Sequence, residues 1–252
     1  HRTTRKLSLT AAGSETLPRC RQMLELSEDM QAAVGAAGGT PRGLLRISVS
    51  TSFGQSQLAA AVTDYVRLNP GVTIDLQMLD RTVNLVDERI DLAIRTSREL
   101  DPSLIARQLT VCRSVLCASP AYLREHPAPR QVDDLSQHNC LTHSYFGKSL
   151  WHFTCDGEEL SVPVQGNISA NEASTLLSAT LSGAGVSLLP SYQAGVHVQR
   201  GDLVRLLPDA EPRVMNIYAV YASRKHMPAA LRSMLDFLAQ RFTPEPAWDN
   251  GL

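Results

Sequence analysis

Hydroxyl and guanidinium side chains occur where predicted strands end. Thr51 and Ser52 follow the strand predicted at residues 44–50, and Arg95 ends the strand predicted at 90–96. The crevice outside the carboxyl ends of the strands is where open α/β sheets bind ligands. A helix N-terminus at such a place offers N–H donors to an anion, and an arginine can pair with a carboxylate. This pattern predicts a binding site for a small molecule.

A second polar group precedes the helix predicted at residues 171–183, and it contains Asn167, Ser169 and Asn171. With the free amides predicted at the start of the 55–68 helix, two helix N-termini would face one cleft. Taken singly, each Ser, Thr or Asn is better explained by helix capping, and only the two N-termini together favour a binding site. For Arg95, a structural salt bridge is an equal alternative.

Motifs of common enzymes and metal sites are missing from the sequence. It contains no GxSxG, HExxH or Walker A motif, so neither an enzyme nor a cofactor is expected. The stretch HNCLTHS (138–144) lacks paired zinc-ligand spacing, so we expect buried or pocket-lining residues and no metal. The five cysteines form no CxxC, which favours reduced thiols in a cytosol. Cys112, beside Arg113, carries the one hint of a low-pKa thiol.

Strands and helices must position these groups, and they alternate along the chain. The regular strands are predicted at 44–50, 72–79, 90–96, 114–119, 185–190 and 215–223, with less regular ones at WHFTC and LSVPVQGNIS. The helices are predicted at 55–68, around Leu85 and Val86, from Pro120, at 171–183, from a first turn that contains Pro190, and from Pro228. A polar turn is predicted at 51–54. This order predicts two α/β lobes with largely parallel sheets and a cleft between them.

Composition bounds the partners of the chain. Its 252 residues are 43% hydrophobic and carry a net charge of −1, so no global field attracts a polyanion. No apolar run approaches the roughly 20 residues of a membrane span, and no signal peptide is visible. We therefore expect a cytoplasmic protein that does not contact membranes. Because there is no initiator Met, we also expect that sequence precedes His1.

The N-terminal segment predicts a helix over about residues 10–36. Leu17, Cys20 and Leu24 recur at a spacing of three to four residues, which makes a narrow apolar seam. Such a helix pairs with another helix or lies on its own domain, and pairing is the prediction. Pro18 would kink it, and a glycine-rich linker follows at 35–43.

Several stretches, taken in order, resemble LysR-type transcriptional regulators. RTTRKLSLTAAG is similar to the end of their winged helix-turn-helix domain, where it runs into the linker helix. The stretches similar to their effector-binding domain are LRISVSTSFGQSQLAAAVTDYVRLNPGVTIDL, VDERIDLAIR, VLCASPAYL, DDLSQHNCL, LSGAGVSLLPSY, GDLVRLLP and LRSMLDFLAQRF.

The resemblance implies an α/β fold of two Rossmann-like lobes of the type 2 periplasmic-binding-protein class. Two crossover strands would join the lobes, and a long dimerising linker helix would precede them. The implied domains are a wing remnant at 1–10, the linker helix at 11–38, lobe I at 43–112 with 222–252, and lobe II at 113–221.

The resemblance also implies promoter DNA as a partner and a homodimer or homotetramer. Arg2, Arg5 and Lys6 match wing positions near the DNA backbone, and the recognition helix would lie upstream of His1. This fragment alone would then bind DNA weakly, because three phosphate contacts carry little affinity or sequence information. The dimerising residues would be Leu17, Cys20 and Leu24.

A small organic effector is implied in the cleft, and an aromatic or aliphatic carboxylate is one candidate. The predicted effector-binding residues are Thr51, Ser52, Phe53, Arg95, Thr96, His143, Tyr145, Asn167, Ser169 and Asn171. A histidine at position 143 would titrate near neutral pH and could sense ligand charge, but a plain hydrogen-bonding role in the cavity wall is favoured. The chain departs from many relatives at Asn84 and at Thr96-Ser97. A solute-binding protein or stand-alone sensor of the same fold is the alternative.

Overall fold

The computed structural model describes residues 10, 12–17, 19–20, 23, 40–98, 104–222 and 227–251. Residues 12–17 are helical, and the Thr10 hydroxyl oxygen accepts the Gly13 N–H at 3.1 Å, which caps this helix near its predicted start. Arg2, Arg5, Lys6 and Leu24 lie outside the described residues. Within the described chain, no helix is both long and apolar enough to cross a bilayer.

Thirteen strands and six α-helices follow residue 40 in the described chain. The strands are β1 (Gly43–Val49), β2 (Val72–Met78), β3 (Leu92–Ser97), β4 (Ile105–Cys112), β5 (Ser114–Ala118), β6 (Cys140–His143), β7 (Leu150–Cys155), β8 (Glu158–Pro163), β9 (Ser169–Ala170), β10 (Val186–Pro190), β11 (Val204–Arg205), β12 (Glu211–Pro212) and β13 (Met215–Tyr221). The helices are α1 (Thr51–Phe53), α2 (Ala59–Leu68), α3 (Pro120–Glu125), α4 (Ala173–Leu181), α5 (Ser191–Arg200) and α6 (Ala229–Arg241).

The first lobe is built on a five-stranded sheet in the order β2-β1-β3-β13-β4. β1 is parallel to β2 and β3, whereas β13 is antiparallel to both β3 and β4. The sheet is therefore mixed, not largely parallel as the sequence predicts. The reason is that β13 enters the sheet from the second lobe and so runs against its neighbours.

The chain turns into a helix directly after β1. α1 continues through a π-helical turn (Gly54–Leu58) into α2, so residues 51–54 are helical and the predicted polar turn is wrong. A Cβ on Gly54 would collide with the Met78 sulfur, so glycine lets this helix lie against the end of β2. The predicted short helix around Leu85 and Val86 is instead a series of turns.

The second lobe contains a five-stranded sheet, β11-β5-β10-β6-β9, and a smaller sheet, β12-β7-β8. In the larger sheet β10 is parallel to β6 but antiparallel to β5. The stretch LSVPVQGNIS divides between β8 and β9. Gly166, between them, packs against the Cys140 carbonyl, where a Cβ would collide. Gly183, after the C-cap Ser182 of α4, has φ +85, a left-handed conformation that glycine adopts readily at a helix end.

Two chain crossings connect the lobes. The chain leaves the first sheet after Cys112, enters β5 at Ser114, and returns between β12 and β13. β13 belongs to the first sheet, whereas the sequence assigns residues 113–221 to lobe II. Pro190 ends β10 and serves as the N-cap of α5, so it is not inside the first helical turn as predicted.

Aromatic rings pack together where the two lobes meet. Tyr192, from α5 of the second lobe, packs in the core of the first lobe. Its ring centroid lies 5.3 Å from that of Phe53 and 6.1 Å from that of Trp248, and Phe242 lies 5.4 Å from Phe53. Aromatic ring pairs at these distances contribute to the stability of the protein beyond the effect of the surface area that they bury. A helix of one lobe is thus anchored in the core of the other.

Candidate functional site: a cavity between the lobes

A cavity of about 870 Å³ lies between the lobes. The first lobe contributes the region where β1 and β3 end and the loop after β2, and the second contributes the segment from His143 to His152 and the start of α4. Cavities of roughly 300–1,000 Å³ are typical of small-molecule sites. The cavity residues that the sequence analysis names are Ser52, Arg95, Thr96, His143, Tyr145 and Asn171.

Arg95 projects from β3 into this cavity. Its Nη2 donates to the Ser48 hydroxyl at 2.6 Å, and its Nη1 donates to the Ile94 carbonyl at 2.9 Å. Among the described residues, no carboxylate forms a salt bridge with this half-buried guanidinium. Burial lowers the pKa of Arg95, and the more distant carboxylates of Asp80 and Glu88 partly oppose that effect. The alternative of a structural salt bridge is therefore not realised with the part of the chain that is described.

Both helix N-termini at the cleft are capped by carboxylates of the chain itself. Asp80 accepts the Thr51 N–H at 3.0 Å and the Thr51 hydroxyl at 2.5 Å. At the start of α4, Glu172 accepts the Ser174 N–H at 2.8 Å and the Thr175 N–H at 2.9 Å. The amides of Thr51, Ser174 and Thr175 are therefore already paired with carboxylates, which also complement the helix dipoles, so these three N–H groups are not free donors for a ligand.

The remaining candidates lie outside the cavity lining. Phe53 is 1% exposed within the aromatic junction. Asn167 donates its N–H to the Asn139 side-chain oxygen at 2.9 Å and accepts from the Asn139 amide at 2.8 Å. The hydroxyl of Ser169 lies 3.2 Å from that of Ser144. The contacts of Asn167 and Ser169 both lie within the second lobe.

Ser52 connects the two lobes at the cavity. Its hydroxyl lies 3.1 Å from the hydroxyl of Tyr192, and both residues are buried. Burial, as the larger effect, raises the pKa of Tyr192 well above 10, so its hydroxyl keeps the proton at any physiological pH. The hydrogen bond therefore ties the first helix of one lobe to α5 of the other.

His143 lies on the wall contributed by the second lobe. Its Nδ1 accepts the Tyr145 N–H at 3.2 Å, so in the neutral ring the proton sits on Nε2. The ring centroid of Phe146 is 5.0 Å away. Burial lowers the pKa of His143, although Asp80 and Glu172 oppose it. The lowered pKa favours the neutral imidazole, which can still accept or donate one hydrogen bond.

Sequence reasoning missed the charged groups on the loop after β2. Asp80 lines the cavity, and Arg81 donates from Nη1 and Nη2 to the two Glu88 carboxylate oxygens at 2.8 and 2.5 Å. This bidentate pair fixes the loop whose residues Arg81–Val83 also line the cavity. The one usable signal was an acid directly after the strand predicted at 72–79.

Three of the five cysteines are buried. Burial raises the pKa values of Cys112, Cys117 and Cys140 to about 12. The low-pKa thiol suggested by the Cys112–Arg113 sequence is therefore absent, because burial outweighs the neighbouring charge. Among the described residues, no group of three His, Cys, Asp or Glu side chains could hold a metal ion.

Two α/β lobes around a ligand-sized cavity define a small-molecule-binding domain. Residues 38–243 match the family described as the LysR substrate binding domain. The HTH-type transcriptional activator TtdR of Escherichia coli (strain K12) is 31% identical over 241 residues, which cover 95% of this chain and 77% of TtdR. The regulator PtxR of Pseudomonas aeruginosa is 32% identical over 246 residues, covering 97% of this chain and 79% of PtxR.

Solved structures agree with these sequence matches. The full-length virulence activator AphB of Vibrio cholerae has a TM-score of 0.76 at 27% identity and covers 96% of this chain and 83% of its own. The regulatory domain of CrgA from Neisseria meningitidis has a TM-score of 0.71 at 26% identity and covers 81% and 100%. The chain belongs to the LysR family of transcriptional regulators. It is a regulator with an effector-binding domain, not an enzyme, as the sequence predicts.

Proposed function

We propose that the cavity between the lobes binds a small organic carboxylate as the effector of this regulator. The observation that carries the proposal is Arg95, whose guanidinium lines the cavity and, among the residues that the structure describes, donates to the neutral oxygens of Ser48 and Ile94 and to no carboxylate. A buried charge without a counterion is unfavourable, and burial lowers the pKa of this group. A carboxylate in the cavity would supply the counterion and accept the remaining N–H donors.

His143 and Asn171 complete the proposed site from the opposite lobe. Both line the same cavity as Arg95. A ligand that contacts Arg95 and either of these residues binds one arrangement of the lobes better than another, and this difference is what an effector needs in order to signal. Ser52 and Thr96 line the cavity beside Arg95 and complete the proposed contacts in the first lobe.

The proposal is tested with matched pairs of charged and uncharged probes. Benzoate and 3-phenylpropionate should bind to the chain in calorimetry, whereas benzamide and 3-phenylpropanamide should not. Arg95→Gln should weaken carboxylate binding by about 1.5–3 kcal/mol, roughly 10- to 100-fold, the range for hydrogen bonds to charged groups. Arg46→Gln is the control, because Arg46 lies on β1 outside the cavity and pairs only weakly, at 3.9 Å, with Asp75. Equal binding to wild type and Arg95→Gln would refute the proposal.

We further propose that the regulator acts in the cytoplasm as a homodimer or homotetramer on promoter DNA. Support comes from Leu17 and Cys20, which are exposed in the single chain at the predicted seam. Leu24 continues that seam, and Arg2, Arg5 and Lys6 would contact phosphates. Sedimentation of the 252-residue chain should give a dimer or larger species that Leu17→Glu weakens. Identical masses for both proteins would remove Leu17 from the interface.

A further inference from the structure

Two opposite charges meet at the carboxyl end of β1. Arg95 reaches from β3 to the hydroxyl of Ser48 at 2.6 Å, and Asp80 reaches from the end of β2 to Thr51 at 2.5–3.0 Å. Ser48 and Thr51 are three residues apart, and β1 lies between β2 and β3 in the sheet. The guanidinium and the carboxylate therefore converge on the same few residues from opposite sides.

These two charges do not neutralise each other by contact. Neither Asp80 nor Arg95 forms a salt bridge within 4 Å with any residue that the structure describes. Asp80 accepts two hydrogen bonds from Thr51, while a carboxylate offers about four acceptor sites. Both residues line the cavity. A ligand thus meets a donor fork and an acceptor within one cavity.

Aromatic residues form part of the opposite wall, beside His143 and Asn171. Tyr145 and Phe146 are 58% and 43% exposed and line the cavity, whereas Trp151 borders it but is 2% exposed. Trp151 donates its Nε1–H to the Gly147 carbonyl at 3.0 Å, so its one polar atom is already paired. A cavity of about 870 Å³ exceeds the needs of a carboxylate head alone. This wall therefore suits a bulky apolar body.

We infer that the effector is an acid with a hydrogen-bond donor on its α-carbon and a bulky apolar side chain. Its carboxylate would accept from Arg95, its α-hydroxyl or α-ammonium would donate to Asp80, and its side chain would pack on the exposed rings of Tyr145 and Phe146. This assignment rests on the proposed function. It adds Asp80 as the residue that selects among carboxylates.

Three probes with one carbon skeleton test the inference by calorimetry on the 252-residue chain. They are 3-phenylpropionate, which lacks an α-donor, L-phenyllactate with an α-hydroxyl, and L-phenylalanine with an α-ammonium. At least one α-donor probe should bind roughly tenfold more tightly than 3-phenylpropionate, because a hydrogen bond to a charged acceptor is gained. The two α-donor probes distinguish a hydroxy acid from an amino acid. L-Alanine and L-lactate, without the apolar body, should bind more weakly than their phenyl counterparts.

Asp80→Asn isolates the selecting group. Its amide oxygen can still accept the Thr51 N–H, so α1 keeps a cap. The α-donor preference should fall below threefold, while binding of 3-phenylpropionate is kept. Asp75→Asn, on β2 outside the cavity, is the matched control and should change nothing. Should Asp80→Asn fail to fold, the probe series on wild-type protein still decides.

The outcomes separate the two claims. If 3-phenylpropionate binds through Arg95 as tightly as both α-donor probes, Asp80 is only a helix cap; the inference falls and the proposed function stands. The inference also falls if none of the three phenyl probes binds at 10 mM, in which case benzoate still tests the proposed function. If every carboxylate binds Arg95→Gln as well as wild type, both claims fail.

Discussion

The hydrogen bond between Ser52 and Tyr192 should contribute measurably to stability, because it joins the lobes in a buried place. The hydroxyl oxygens lie 3.1 Å apart, and the residues are 5% and 9% exposed. A neutral bond of this kind contributes about 0.5–1.5 kcal/mol net, whereas a buried hydroxyl left without a partner costs about 1–3 kcal/mol. We therefore expect Ser52→Ala and Tyr192→Phe each to destabilise the protein by about 1–2 kcal/mol.

The double variant distinguishes this bond from two independent losses. Once one hydroxyl is gone, removal of the other leaves no additional unpaired group, so Ser52→Ala/Tyr192→Phe should be little worse than either single variant. The coupling energy should be about 1 kcal/mol. Urea unfolding at pH 7, followed by tryptophan fluorescence and by circular dichroism, provides the four free energies and a test of two-state behaviour. Additive effects, with a coupling below about 0.3 kcal/mol, would refute the assigned bond.

Three further predictions concern packing and titration. Gly185→Ala should destabilise the second lobe by at least about 1–3 kcal/mol in urea unfolding, because its Cβ would collide with the Asn139 carbonyl oxygen, and an unchanged midpoint would contradict the packing. Burial lowers the pKa of His143, so the unfolded chain binds a proton before the folded chain does as pH falls below about 6.5. The free energy of unfolding should therefore decrease in that range, and His143→Gln should make this decrease with pH shallower. The pKa of Cys112 is raised to about 12, so above about pH 8.5 the unfolded chain loses this proton first, and the free energy of unfolding should fall as pH rises. Cys112→Ala should lessen that fall. A native thiol that reacts readily with Ellman's reagent at pH 8 would contradict the burial of Cys112.

The strands of the first lobe could be predicted because their signals are local. β1, β2 and β3 each lie within a stretch rich in β-branched and aliphatic residues. β4 was missed, since its central residues Arg107 and Gln108 are exposed at a sheet edge and break the apolar pattern. Its partner β13 lies about a hundred residues further along the chain, so no short window contains the pair.

The site could be predicted in part for the same reason. Arg95 lies near the end of the strand predicted at 90–96, and that position is visible in the sequence. His143 was named only through the family resemblance, because no strand was predicted where β6 lies. The contact of Asp80 with Thr51 spans 29 residues and depends on how β2 lies beside β1, which no local pattern encodes. The burial of Phe53 away from the cavity also depends on distant residues. Its neighbours Tyr192, Phe242 and Trp248 assemble around it only in the folded chain.

The position of β13 has a consequence for the order in which this protein folds during synthesis. β13 is a central strand of the first sheet, between β3 and β4, yet the ribosome makes it after the whole second lobe. Domains usually fold from the N-terminus onward as they emerge. Here the second lobe is continuous in sequence and can complete its sheet first. β4 lies beside β13 at the edge of the described sheet, so it lacks this partner strand until β13 has been made. The N-terminal lobe is therefore the later of the two to close, and until then its strand edges are open to pairing with other chains.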